Sequence, residues 1–320
     1  MWTVESLRAA ARLPIIGAPM FLASGVDLVV AQCAAGVIGT FPALNARPQE
    51  ELSRWLTEIE AGRAAAEAAS GLPSAPYGVN LIVHESNPRL QADLDTVVAH
   101  KVPLVITSLS QPGPVVEAVH GYGGLVFHDV INMRHARKAA GAGVDGLILV
   151  SAGAGGHGGR MSPLALAGEA RRFFDGALIL SGAISDGRAV VAAEALGCTF
   201  AYIGTLFLTA AESMAAVAHK EMAVASDASE IIYSPLFTGT HGNYLAGSIR
   251  AAGLDPAEAA LAQPRRMAFA EGASKPKAWK EIFGAGQGVG QIDRIEPVAQ
   301  IVARLASERD EALTRLCGGR

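Results

Sequence analysis

Eight short, nearly continuous apolar runs, each followed by a longer segment of helical pattern, constrain this chain more than any other feature. The runs are Ile15–Ala18, Val37–Phe41, Tyr77–Ile82, Leu104–Ser108, Leu125–His128, Gly146–Val150, Leu178–Ser181 and Phe200–Ile203. Runs of this kind suit parallel strands buried on both faces. Helical patterns lie between them, at Pro48–Ala61, Pro88–His100, Pro114–Tyr122, Arg134–Ala142, Pro163–Phe174 and Gly187–Leu196. Ser162 offers an N-cap before Pro163, and Gly143 and Gly197 sit where helices should end. Eight such units predict an α/β fold of the (β/α)8 TIM-barrel type. A doubly wound sheet would place its glycine fingerprint after the first strand. The barrel is expected to use residues 1–213 and 278–320. Residues 214–277 keep helical patterning without a further clear strand, and hold the unusual run Phe237-Thr-Gly-Thr-His-Gly-Asn-Tyr-Leu245. They are read as a mostly helical cap inserted before the C-terminal helix. That helix, Pro297–Leu316, is expected to close the barrel.

Composition narrows the function classes. The net charge of −4 gives no electrostatic case for nucleic acid or an anionic membrane surface. The three cysteines, Cys33, Cys198 and Cys317, are far apart and in no metal spacing, which points to a reducing compartment. The longest apolar stretch, Leu28–Phe41, is too short and too interrupted to span a bilayer. With no signal-peptide pattern, the expectation is a soluble cytoplasmic protein. No cluster of Cys, His, Asp and Glu has metal-ligand spacing. Composition does not specify the oligomeric state.

A TIM barrel carries its chemistry at the C-terminal ends of its strands. Those ends supply Pro19 and Met20, Asn80, Thr107 and Ser108, His128 and Asp129, the glycine-rich Ser151–Gly159, Ser181 to Ala183, and Gly204 with Thr205. Gly182 and Gly204-Thr205 follow the last two strands, where barrels often bind phosphate. Bare amides and the Thr205 hydroxyl suit an anion there, although the same glycines would also serve tight turns. Glycines on both sides of His157 leave room for a flat ligand beside one imidazole. His157 is therefore a candidate general base, with a plain turn histidine as the alternative. Gly153, Gly155 and Gly158 formally fit G-x-G-x-x-G, but the helix starts later, at Ser162-Pro163, so this is not a dinucleotide fingerprint. His128 either faces the ligand or caps the core. Asn80 can both donate to and accept from the polar edge of a heterocycle. Ser108, His241, Asn243 and Tyr244 are candidate substrate contacts. His84, His100, His120, His135 and His219 are expected on solvated faces.

Taken together, these residues resemble the nitronate monooxygenase family. Gly17-Ala-Pro-Met20 resembles its opening strand, and Tyr77-Gly-Val-Asn-Leu81 its G-x-N-L strand. Ala154-Gly-Gly-His-Gly158 resembles the A-G-G-H-x-G signature, which is the most specific piece. Leu180-Ser-Gly-Ala-Ile-Ser-Asp-Gly187, Tyr202-Ile-Gly-Thr-Leu-Phe207 and Ala285-Gly-Gln-Gly288 resemble later elements in order. The resemblance implies non-covalent FMN, contacted by Asn80, Gly155, Gly182 and Tyr202, Ile203, Gly204 and Thr205. The expected cofactor set is completed by Pro19, Met20, His128, Gly156, Ser181, Ala183 and Gln287. His157 matches the family's catalytic histidine. The implied reaction is oxidation of an alkyl nitronate, a small-molecule substrate, by O2 to a carbonyl compound and nitrite. In that reaction His157 takes the α-proton of a neutral nitroalkane or stabilises the bound anion.

The chain departs from the family pattern at three places. Ala183 replaces a glycine, Val150 stands where many members have a polar residue, and Asp129 rather than a basic residue follows His128. Two alternatives use the same barrel: an NAD(P)H:quinone reductase and an FMN-dependent enoyl-thioester reductase. Two others are a flavin-free phosphate-binding barrel and a non-enzymatic flavin carrier.

Overall fold

The computed structural model describes residues 1–264 and 279–318. The part of the expected cap at 265–277, and residue 278, therefore lie outside the described residues. Eight parallel strands form one sheet: β1 Ile15–Gly17, β2 Gly39–Pro42, β3 Tyr77–Val83, β4 Leu104–Leu109, β5 Leu125–Val130, β6 Gly146–Val150, β8 Ala177–Ser181 and β9 Phe200–Ile203. Their order is β1-β9-β8-β6-β5-β4-β3-β2. A parallel bridge between Ile16 and Ile38 joins the two ends, with the Gly17 amide donating to Ile38 O at 2.8 Å. The eight strands match the expected runs within a few residues, and six of the intervening helices match the expected patterns. The helix Val26–Ala34 overlaps Leu28–Phe41, a stretch read only as apolar.

The apolar residues divide into two layers by strand parity. Leu104 and Ile106, Leu125 and Phe127, Ile148 and Val150, Ile179, and Phe200 with Tyr202 point inward and fill the barrel. Their neighbours Val105, Val126, Leu147, Leu149, Leu178 and Leu180 point outward against the helices. This is the alternation a closed barrel imposes on every strand. Carried one step further up each strand, it decides which polar residues reach the mouth.

Two expectations are corrected. Residues beyond 213 contain strands: β10 Ile231–Ser234 and β11 Gly242–Leu245 pair antiparallel, and β11 also pairs with a two-residue strand, β7, Gly156–His157. These strands are short and lie in turn-rich sequence, so they give little periodicity to read. The final helix, Val298–Cys317, does not close the barrel, because the Ile16–Ile38 bridge does so. It packs outside, against helices Gly187–Ala195 and Val26–Ala34, in the place of the barrel's eighth helix. The segment between β9 and this helix is thus an insertion between the last strand and its own helix.

Gly187 marks the tightest part of that packing. A Cβ there would collide with the Arg309 and Leu305 backbones, and the Gly187 amide donates to Glu308 Oε2 at 2.8 Å. Gly187→Ala should lower stability by ~1–3 kcal/mol through overpacking, read as a lower urea midpoint with an unchanged slope.

Candidate active site at the barrel mouth

The C-terminal ends of the strands surround a cavity of about 960 Å³. Asn80, Ser108, Asp129, Val150, Ser181 and Tyr202 line it. Each continues the inward-facing series of its strand. Pro19, Met20, Gly155, Gly156, His157, Gly182, Ala183, Gly204, Thr205 and His241 also line it. Other expected residues lie behind the wall. His128 follows the outward parity, is 4% exposed, and pairs its Nδ1 with Thr107 Oγ1 at 2.8 Å. Of the two readings left open for His128, the structure favours the core. Ile203 is likewise outward and fully buried. Tyr244 is fully buried, and Asn243 is 2% exposed. Gln287 is exposed and uses its backbone amide, donating to Gly153 O at 2.9 Å.

His157 is placed by pairing between distant segments. It lies in β7 opposite Gly242 of β11. The Asn243 side-chain amide donates to Ala154 O at 2.6 Å, and Tyr233 OH donates to Gly158 O at 2.9 Å. Gly155 lies so close to the late glycine loop that a Cβ there would stand 2.8 Å from Gly286 N. On the far side, the Trp279 ring meets the imidazole edge-on at 5.4 Å. His157 Nε2 lies 2.8 Å from Thr238 Oγ1. The Thr238 hydroxyl donates its proton to Thr240 O at 2.9 Å, so it must accept from Nε2–H. That assigns the tautomer and leaves Nδ1 without its proton. Burial lowers the imidazole pKa to about 4, so it is neutral at pH 7.

On β3, β4 and β5, Asn80 Nδ2 donates to Ser108 Oγ at 2.8 Å, and Ser108 Oγ donates to Asp129 Oδ2 at 2.6 Å. Burial pushes the Asp129 carboxyl up to about 6, with the Ser108 hydrogen bond opposing it. Asp129 Oδ1 and the Tyr202 hydroxyl are buried, with no hydrogen-bond partner among the described residues. Two orphaned polar atoms on residues lining one cavity call for a polar ligand.

The anion-binding expectation meets a mixed geometry. Gly182 has φ +133, and a Cβ there would stand 2.8 Å from Ala152 O. Thr205 Oγ1 accepts from the Gly286 amide at 2.9 Å and keeps its own proton to donate. The N-terminus of helix Gly187–Ala195, however, is already capped by Asp186, which accepts from the Ala189 amide at 2.8 Å. Bare backbone at Gly182, Gly204, Gly286 and Gly288 is what this corner offers.

A sequence model of the nitronate monooxygenase family matches residues 21–308. The chain belongs to that family. It is 26% identical to a nitronate monooxygenase of Neurospora crassa, across 94% of this chain and 90% of that protein. Among solved structures, FabK of Thermotoga maritima superposes with a TM-score of 0.78 at 24% identity, covering 99% of both chains. A nitroalkane oxidase of Streptomyces ansochromogenes gives a TM-score of 0.78 at 23% identity, covering 97% of this chain and 99% of that one. Membership in the nitronate monooxygenase family makes the chain a flavin-dependent oxidoreductase of the monooxygenase type. The cavity suits a flavin: it is large, has glycine backbone at one corner, and is lined by residues with unpaired buried polar atoms. Among the described residues no helix is long and apolar enough to cross a membrane, and no cluster of metal-binding side chains occurs.

Several wall residues escaped the sequence reading. Thr238 and Phe237 lie inside the run singled out as unusual, but nothing there marks their contacts. Trp279 carries no local signal. His219, expected to be solvated, is 8% exposed, stacks on Phe283 at 4.4 Å and lines the cavity. His135 and His84 also reach the wall.

Asn243→Ala should cost ~1–3 kcal/mol by leaving the Ala154 carbonyl unpaired. Urea unfolding checks this, with the loss expected alongside faster proteolysis within residues 153–158.

Proposed function

We propose that the chain oxidises alkyl nitronates, and neutral nitroalkanes more slowly, with O2 to carbonyl compound and nitrite, using non-covalent FMN and His157 as the base. The observation that carries this reading is the His157–Thr238–Thr240 relay, which presents a neutral imidazole with one nitrogen open beside the cavity. Gly182, Gly204 and Thr205 would hold the phosphate, with the Gly286 amide orienting the Thr205 hydroxyl, and Asn80, Tyr202 and Met20 the ring system. When bound, FMN supplies the route by which electrons pass from substrate to oxygen.

The protein's own part is proton handling and enclosure. His157 Nδ1 takes the α-proton from a carbon made acidic by its nitro group. Thr238 keeps Nε2 protonated, so the ring cannot turn its basic nitrogen away. Trp279 and Phe237 supply apolar cover over the reacting carbon and limit water. A substrate that arrives as the nitronate needs no base, and His157 then serves to position it.

This separation gives the test. His157→Ala should lower kcat/KM for a neutral nitroalkane by ~10²–10⁴-fold, and for the preformed nitronate by about tenfold or less. Full activity of the variant on the neutral substrate would remove His157 from the base role. Because burial holds the imidazole near 4, the base stays unprotonated through pH 5–6. The kcat/KM profile for the neutral substrate should therefore stay level below 6.5 and fall only as pH drops through about 4. The NAD(P)H:quinone and enoyl-thioester reductase alternatives both draw on a nicotinamide. Rapid anaerobic bleaching of the yellow protein by NADH or NADPH would favour them over nitronate oxidation.

A further inference from the structure

The Asn80–Ser108–Asp129 chain has a direction, and its end is open. Asn80 Nδ2 spends its protons on Ser108 Oγ and on Ile106 O at 3.2 Å. Ser108 spends its one proton on Asp129 Oδ2. Asp129 is thus the terminal acceptor of a chain running across β3, β4 and β5. Asp129 lines the cavity, and its second oxygen, Oδ1, is buried without a hydrogen-bond partner among the described residues. Leaving such an oxygen unpaired is costly unless a ligand brings a donor. The Tyr202 hydroxyl, reaching into the same cavity from β9, is also unpartnered, and burial with the nearby Asp129 charge holds its proton firmly. The wall therefore asks for a ligand edge that presents an N–H donor near an acceptor.

The strand order bears on which part of a flavin this would meet. In the ring of eight strands, β8 and β9, which carry Gly182 and Gly204, stand opposite β3 and β4, with β5 next to β4. A cofactor with its phosphate at the glycine corner extends its ring system toward Asn80, Ser108 and Asp129. The oxidised flavin ring carries one N–H, the imide between two carbonyls. We propose that Asp129 is the acceptor that reads the flavin imide N–H, positioned for it by Ser108 and Asn80. The inference rests on the FMN reading above. The carboxylate, ionised at neutral pH, is the stronger acceptor of its two protonation states.

The test uses binding rather than turnover. Flavin-free protein is titrated with FMN and with 3-methyl-FMN, in which the imide proton is replaced by a methyl group, and flavin fluorescence is followed. Wild type should bind FMN about 10–100-fold more tightly than the methylated analogue, the range for a hydrogen bond to a charged group. Asp129→Ala should weaken FMN binding and bring that ratio below about threefold, because the partner the methyl group displaces is gone. Asp129→Asn keeps the shape and an uncharged acceptor, and should give an intermediate ratio if the alanine variant does not fold. Ser108→Ala, which leaves Oδ1 in place, should retain most of the discrimination. Wild-type discrimination unchanged in both Asp129 variants, or no discrimination by wild type, would overturn the inference while leaving the FMN reading intact. Failure of wild type to bind FMN at all would instead overturn the FMN reading.

Discussion

The site depends on a close meeting of bare backbone. The loop around Gly155 approaches the Ala285–Gly286 segment so closely that a side chain on either glycine would meet main-chain atoms. That approach brings together three segments far apart in sequence: the loop after β6, strand β11, and the chain just before the last helix. Strand β11 and the chain before the last helix share apolar contacts, Leu245 with Phe283, Ala285 and Val289, and Tyr244 with Ile282, while the glycine loop joins them through its backbone. The joint is made of hydrogen bonds such as Gln287 N to Gly153 O and Asn243 Nδ2 to Ala154 O. The position of His157 follows from it. The glycine-rich composition of this loop thus serves backbone approach more than loop mobility.

Burial acts on the two key titratable groups in opposite senses. It lowers His157 and raises Asp129 by the same cause, the cost of charge away from water. The result at pH 7 is a neutral imidazole and a carboxylate only about one unit above its titration, and both line the same cavity. The hydrogen bonds from Thr238 and Ser108 give each group a direction, which burial alone would not.

The barrel was legible because its strands are buried on both faces, and such runs stand out from the alanine-rich segments between them. The glycine loop and His157 were legible through composition and through the A-G-G-H-x-G resemblance. The choice between His128 and Asp129 was present in the sequence but needed parity: Leu125 and Phe127 face inward, so Asp129 does too and His128 does not. The β7–β11 pairing was not legible. Two residues of strand have no period, and their partner lies some eighty residues further on. Trp279 and Thr238 reach the site only through that pairing, so no local pattern could place them.

The contact of Gly187 with the final helix bears on how the molecule is assembled. The turn carrying Gly182 leads directly into the helix that opens at Gly187, and that helix is finished only by Leu305, Glu308 and Arg309. A chain emerging from the ribosome makes all eight strands before it makes this partner. Until then the faces of helices Gly187–Ala195 and Val26–Ala34 that it covers stand open to water, and the loop to be closed spans more than a hundred residues. The glycine corner of the mouth is therefore among the last parts to reach its final rigidity, although its own residues are made much earlier.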